Sequence, residues 1–150
     1  MTEYIKVPPF LTYNQKIKLY NLGLASAYFE KHYNSESGTE SALSFLDLTD
    51  DNLPKQFMHV ALMKMEPNAI QDWHTDGTRD TVLIYPLSPN YQLGQVESGY
   101  YSGPVLLNVK TKHAVFNNDA IRINFQVTMH TPIDDVNITE TIDLIKKWYK

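Results

Sequence analysis

Between Phe57 and Met129 the apolar residues come in short runs, each stopped by turn-making residues before it reaches the length of a helix. Phe57–Met65 is closed by Glu66-Pro67-Asn68, Thr81–Leu87 by Ser88-Pro89-Asn90, and Tyr100–Val109 is interrupted by Gly103-Pro104. His113–Phe116 and Ala120–Met129 complete the series. Short runs punctuated by Gly and Pro every 8–15 residues or so predict antiparallel strands in a sandwich or jelly roll. Helical patterns flank this region. Ile17, Tyr20, Leu24, Ala27 and Tyr28 recur at helical spacing over residues 13–32, with Thr12 or Asn14 as a cap. A second helix is expected over 139–150, with Ile142, Ile145 and Trp148 as its apolar stripe. Lys146, Lys147 and Lys150 suit the negative end of its dipole. Asn34 to Thr39 reads as a loop, and Ser41 to Asp51 is ambiguous, with a short strand around Leu43–Leu48. The chain of 150 residues has no internal repeat and fits one domain: a helical buttress over 13–32, a β core over 57–130 and the C-terminal helix.

Composition narrows the chemistry. The chain has no Cys, which excludes disulfides, thiolate metal sites and cysteine nucleophiles and fits a reducing compartment. The first residues contain no apolar run of signal-peptide type, Pro8-Pro9 would interrupt one, and no stretch approaches the roughly 20 apolar residues that cross a bilayer. A cytoplasmic protein without a membrane partner is the expectation. Asn137-Ile138-Thr139 matches a glycosylation acceptor but reads here as the start of the last helix. Thirteen Lys and Arg against seventeen Asp and Glu leave a net charge of −4, which counts against a nucleic-acid partner. The ten Tyr are scattered and not interleaved with Arg or Lys, as a base-stacking face would require.

Two segments carry candidate chemistry. In Trp73-His74-Thr75-Asp76-Gly77, an extended backbone projects His74 and Asp76 to one side, so an imidazole and a carboxylate form two corners of a metal site. Without Cys the third corner is a His or a carboxylate. Of the remaining His32, His59, His113 and His130, His113 is favoured because its segment leads through a turn into the strand 121–127. That strand puts Ile121, Ile123, Phe125 and Val127 on one face and Arg122, Asn124 and Gln126 on the other. The polar face is either a solvated outer surface or the lining of an internal pocket in which Arg122 clamps a carboxylate. Two His and one carboxylate with open positions opposite is the ligand set of non-haem Fe(II) oxygenases.

The run Met65 to Asp76, the segment Thr81 to Leu87, and His113 followed by Asn117 and Arg122 resemble the Fe(II)/2-oxoglutarate-dependent dioxygenases. The resemblance is nearest to the prolyl-hydroxylase and aspartyl/asparaginyl-hydroxylase-like branches. The gap from Asp76 to His113 is 37 residues and that from His113 to Arg122 is nine, both in keeping with the family pattern. The resemblance covers about residues 57–130. It implies a double-stranded β-helix (a cupin-like jelly roll, mainly β with flanking helices), Fe(II) bound by His74, Asp76 and His113, and 2-oxoglutarate with its far carboxylate on Arg122. It also implies that Tyr85 lies beside Arg122, because Thr81, Leu83 and Tyr85 share one strand face. Arg79, Asn117 and Asn124 are further candidates for the pocket. Dioxygen would be the second cosubstrate, and the outcome the hydroxylation of a protein side chain or a small molecule, with succinate and CO2 as coproducts. The loop Ser88 to Gly103, where such enzymes contact substrate, carries no substrate signature. Two alternatives stand beside this reading: a non-enzymatic jelly roll used for binding or assembly with a vestigial metal site, and a nucleobase-directed oxygenase.

Overall fold

A computed structural model describes residues 1–34, 39–89 and 92–150, and the side chains of these residues outside 32–41. Residues 35–38 of the expected first loop and Asn90 and Tyr91 of the later one lie outside the described residues. The chain forms β1 (Tyr4–Lys6), α1 (Tyr13–Ala25), β2 (Glu30–Asn34), β3 (Thr39–Asp47), β4 (Phe57–Met65), β5 (Ile70–His74), β6 (Thr81–Pro86), β7 (Leu93–Val96), β8 (Gly99–Ser102), β9 (Val105–Asn108), β10 (His113–Phe116), β11 (Arg122–Met129) and α2 (Ile138–Trp148). Two antiparallel sheets result: seven strands in the order β1-β9-β6-β11-β4-β3-β2, and four in the order β5-β10-β7-β8. Stacked with helices on one side, they make the expected jelly roll.

The strand β11 is the middle of the large sheet, paired with β4 on one side and β6 on the other. All eight of its residues are buried. Ile123, Phe125 and Val127 join Val60, Leu62, Leu83, Tyr85 and Leu106 in the main core, which packs beneath α2 through Ile145 and beneath α1 through Leu19. The opposite face, Arg122, Asn124 and Gln126, turns between the sheets and lines a cavity. The solvated-surface reading of that face is therefore excluded. A smaller apolar cluster of Val82, Val96, Tyr101, Val105 and Leu107 closes one end of the space between the sheets, and Leu43, Met63, Met65 and Val115 close another.

The helices depart from expectation in an instructive way. Thr12 caps α1, its hydroxyl accepting from the Gln15 amide at 3.1 Å while the Gln15 side chain returns to the Thr12 N–H at 2.9 Å. The helix nevertheless ends at Ala25, and Glu30 to Asn34 continue as a strand paired with β3. Its buried residues are Leu19 and Gly23, whereas Ile17, Leu24 and Tyr28 are exposed. Apolar spacing alone misplaced the buried stripe because the helix contacts the sheet through a glycine. The second helix spans Ile138–Trp148, and the Asn137 side chain accepts from the Glu140 amide at 3.0 Å, as a helix start should. The segment Leu93 to Ser102 is a hairpin where a loop was expected. Among the described residues, no helix is long and apolar enough to cross a membrane.

Gly23 offers a test of this packing. A Cβ there would lie 2.8 Å from Cγ2 of Ile123, a fully buried side chain. Gly to Ala in an exposed helix interior stabilises by about 1 kcal/mol, but overpacking a core costs about 1–3 kcal/mol. Gly23→Ala is expected to lower the melting temperature, and Ile123→Val in the same chain to recover part of the loss relative to the sum of the two single changes.

Candidate metal centre

His74 ends β5, His113 opens β10, and the two are register partners across those strands. Their rings lie 4.2 Å apart between centroids. Asp76 follows β5 in a short loop that three bonds fix. Its N–H donates to the Val109 carbonyl at 2.8 Å, and Lys110 Nζ donates to the carbonyls of Asp76 at 3.2 Å and Gly77 at 3.0 Å. Asp76 Oδ1 then sits 3.5 Å from His74 Nε2 and 3.9 Å from His113 Nε2. One ligand atom from each of the three residues lies within 4.8 Å of the others.

Each ligand is oriented from behind. The Nδ1 of His74 is 2.7 Å from the Asp72 carbonyl and that of His113 is 2.8 Å from the Thr111 carbonyl. A carbonyl only accepts, so Nδ1 carries a proton in both rings, and Nε2 is the atom that each ring turns to the centre. Burial pushes the His113 pKa down, as do the neighbouring His74 and Arg79, against opposing contributions from its bond to Thr111 and from Asp76. Burial thus favours the neutral ring, which is the form that binds a metal. Arg79 donates through Nε to Asp76 Oδ2 at 2.9 Å and also through Nη2 to the same oxygen. One carboxylate oxygen is thus committed to Arg79 and the other faces the two imidazoles. Arg79 therefore orients a ligand as well as bordering the cavity.

Three donors on one octahedral face stand about 3 Å apart for bonds near 2.1 Å. The observed 3.5 and 3.9 Å need only a small inward rotation of the side chains. Two imidazole nitrogens and one carboxylate oxygen suit a first-row divalent ion of the Fe(II) type. His74→Ala, Asp76→Ala and His113→Ala are each expected to abolish tight Mn(II) or Co(II) binding in a calorimetric titration. Wild-type affinity is expected to fall as acidification protonates the imidazoles.

Arg122 is 5% exposed and borders the same cavity as His74 and His113. Its Nη2 donates to the Leu93 carbonyl at 2.9 Å and its Nε to Asn117 Oδ1 at 3.3 Å. Asn117 in turn donates to the carbonyls of Glu66 and Ala120, both at 2.9 Å. Asn117 therefore does not line the pocket as expected; it holds Arg122 from behind. Asn124 does line it, together with Gln126 and Gln92.

Tyr85 is not beside Arg122. The register between β11 and β6 sets Tyr85 opposite Phe125, on the apolar face, and gives the cavity face to Val82, Ile84 and Pro86. The Tyr85 hydroxyl accepts from the backbone N–H groups of Phe10 and Leu11, each at 3.2 Å, and its ring meets Phe10 edge-on at 5.0 Å. The tyrosine that faces Arg122 is Tyr101 of β8, 7% exposed, which borders the cavity and whose pKa burial pushes up to about 12 against the pull of Arg122. Its ring lies over Gly94, its register partner, where any Cβ would overlap it. A glycine paired with an aromatic across a hairpin is the pattern that signals Tyr101. Tyr85→Phe is expected to cost about 1–2 kcal/mol of stability, since it orphans two N–H donors, and to leave ligand binding in the cavity unchanged.

No protein-family model and no curated protein matches the chain. Solved structures do. A prolyl hydroxylase from Trichoplax adhaerens, in complex with a hypoxia inducible factor peptide fragment, matches with a TM-score of 0.66 at 11% identity over 85% of this chain and 83% of its own. A viral collagen prolyl hydroxylase from Paramecium Bursaria Chlorella virus-1, in complex with 2-oxoglutarate, matches with 0.60 at 11% identity over 85% and 95%. Structures described as DMSP lyases match with 0.60 at 14% identity over 87% and 71%. The chain has the cupin jelly roll that 2-oxoglutarate oxygenases and other cupins share. Identities this low establish the fold and leave the chemistry to the site.

Proposed function

We propose that the protein is an Fe(II)- and 2-oxoglutarate-dependent oxygenase that hydroxylates a protein side chain or a small molecule. The observation that carries this reading is the joint placement, around one cavity, of the His74–Asp76–His113 cluster and the buried Arg122. A divalent metal site alone serves many chemistries. A metal site with a buried, pre-oriented guanidinium in the same cavity suits a cosubstrate that carries a chelating group at one end and a carboxylate at the other.

His74 Nε2, His113 Nε2 and Asp76 Oδ1 would hold Fe(II), with Arg79 keeping the second oxygen of Asp76 occupied. Fe(II) held there would supply the chemistry of oxidative decarboxylation, with 2-oxoglutarate and dioxygen as cosubstrates, succinate and CO2 as coproducts, and one oxygen atom of dioxygen delivered to a substrate C–H bond. The protein binds, orients and excludes water. Arg122, fixed by Asn117 and the Leu93 carbonyl, still has N–H groups free for the far carboxylate of the cosubstrate. The Tyr101 hydroxyl adds a second donor in the place expected of Tyr85. Val82, Ile84 and Leu107 on the cavity wall keep the surroundings apolar, so each of these bonds is stronger than it would be in water.

With added Fe(II), purified protein is expected to convert 2-oxoglutarate to succinate, detected by mass spectrometry, and His113→Ala to abolish the conversion. Arg122→Met is expected to retain Mn(II) affinity and to weaken 2-oxoglutarate binding by roughly 1.5–3 kcal/mol, with Arg122→Lys recovering only part of the loss. Tyr101→Phe is expected to weaken it by about 1 kcal/mol. Equal 2-oxoglutarate affinity in wild type and Arg122→Met would place the clamp elsewhere.

A further inference from the structure

Among the described residues, β1 is the last strand of the larger sheet and β8 the last strand of the smaller one, and the two meet on one side of the sandwich. The β7–β8 hairpin matters to the cavity in two ways. It carries Tyr101, and its first residue, Leu93, offers the carbonyl that accepts from Arg122. Strand pairing holds this hairpin along β7 alone, through His113–Val96 and Ala114–Gln95. A hairpin at the edge of a sheet, paired on one side, is the part of the sheet most able to open.

The N-terminal segment bridges that edge to the larger sheet. Its backbone is fixed first. Tyr4 pairs in register with Leu107, the Asn108 N–H donates to the Glu3 carbonyl and Asn108 Nδ2 to the Thr2 carbonyl, both at 2.9 Å, and the Val7 N–H donates to the Pro104 carbonyl at 3.0 Å. Its side chains then reach the hairpin. The Tyr4 ring lies 5.7 Å from that of Tyr101 between centroids, tilted by 42°, and its hydroxyl donates to the Tyr100 carbonyl at 3.5 Å. Ser98, in the hairpin turn, donates to the Glu3 carboxylate. Tyr101 is therefore confined from two directions, by Gly94, where a Cβ would overlap its ring, and by the ring of Tyr4.

The hydroxyl of a tyrosine lies in the plane of its ring, so whatever packs on the ring sets where the hydroxyl points. Tyr4 shares the inner face of the larger sheet with its register partner Leu107, which borders the cavity, but stands one strand further out. It acts on the cavity through Tyr101 and not by direct contact. We propose that Glu3 and Tyr4 form a strap that holds the β7–β8 hairpin over the cavity, with Tyr4 the positioning residue for Tyr101. The role of Tyr101 toward a cosubstrate rests on the oxygenase reading; the strap itself does not. His74 and His113 lie on β5 and β10, the far half of the smaller sheet from β8, so loosening the strap leaves the metal cluster in place.

The test takes two readouts on the full-length chain. The first, hydrogen–deuterium exchange read by mass spectrometry, needs no ligand. Tyr4→Ala is expected to speed exchange in the β7–β8 hairpin by about threefold or more while β4 and β11 stay near wild type. Ser98→Ala cuts the other tie at an exposed position, is expected to speed exchange of the same hairpin, and keeps this readout available should Tyr4→Ala fail to fold. The second readout is calorimetric titration of 2-oxoglutarate into Mn(II)-loaded protein. Tyr4→Ala is expected to weaken binding about threefold to fivefold, the contribution of one hydroxyl setting the ceiling, with Mn(II) affinity within about twofold of wild type. Tyr4→Phe keeps the ring and is expected to restore the affinity. Because Tyr4 acts through the Tyr101 hydroxyl, adding Tyr4→Ala to Tyr101→Phe is expected to cost less than about a further twofold. Unchanged hairpin exchange in the folded variants would overturn the strap. Losses that add in the double variant, or a fall in Mn(II) affinity as large as that in 2-oxoglutarate affinity, would overturn the positioning role. Faster hairpin exchange in variants of a protein whose Mn(II)-loaded wild type does not bind 2-oxoglutarate would uphold the strap and count against the oxygenase reading instead.

Discussion

The structure depends on one strand being buried on both sides. In β11, Ile123, Phe125 and Val127 lie in the main core, while Arg122, Asn124 and Gln126 face the space between the sheets. A strand buried on both faces normally offers apolar side chains to both layers, because an unpaired buried charge is strongly unfavourable. Here the second face is polar, and its guanidinium is held by Asn117 and a backbone carbonyl. Burying that row costs stability, which the apolar row and the two helices packed on it offset. What the arrangement provides is a cavity with a fixed cation in it.

The candidate metal cluster follows the same logic of support from behind. Each imidazole is pinned by the backbone carbonyl two residues before it in the chain, and the carboxylate is pinned by Arg79. The strand pairing of His74 with His113 sets the distance between the two rings, so the smaller sheet fixes the separation of the two candidate ligands. The cation of the clamp comes from the larger sheet. The two sheets thus contribute different chemistry to one cavity, and sliding one against the other would separate it.

Much of this was legible in the chain. The strands β4, β6, β10 and β11 lie where hydrophobic runs and turn residues put them, and the alternation in 121–127 already marked one face as different. His74, Asp76 and His113 converge because period-two geometry and a short loop are local properties. What could not be read depended on partners distant in sequence. Tyr85 and Arg122 were expected to be neighbours, yet only the register of β6 on β11 decides which face of β6 looks inward, and a slip of one residue exchanges the faces. The buried stripe of α1 centres on Leu19 and Gly23, since Ile123 fits against a glycine, and no helical periodicity in apolar residues reveals a contact made through a missing side chain. The end of that helix at Ala25 reflects the pairing of Glu30–Asn34 with β3, a tertiary preference that overrides the helical spacing of Ala27 and Tyr28.

The most direct measurement is a crystal structure of the protein with Mn(II) and 2-oxoglutarate under anaerobic conditions. The expected density shows one ion bonded to His74 Nε2, His113 Nε2 and a single oxygen of Asp76, with the cosubstrate spanning from the ion to Arg122 and Tyr101. An ion bound elsewhere, or 2-oxoglutarate lying away from Arg122 with the guanidinium still bonded only to Asn117 and Leu93, would contradict the assignment of the cavity as an oxygenase site.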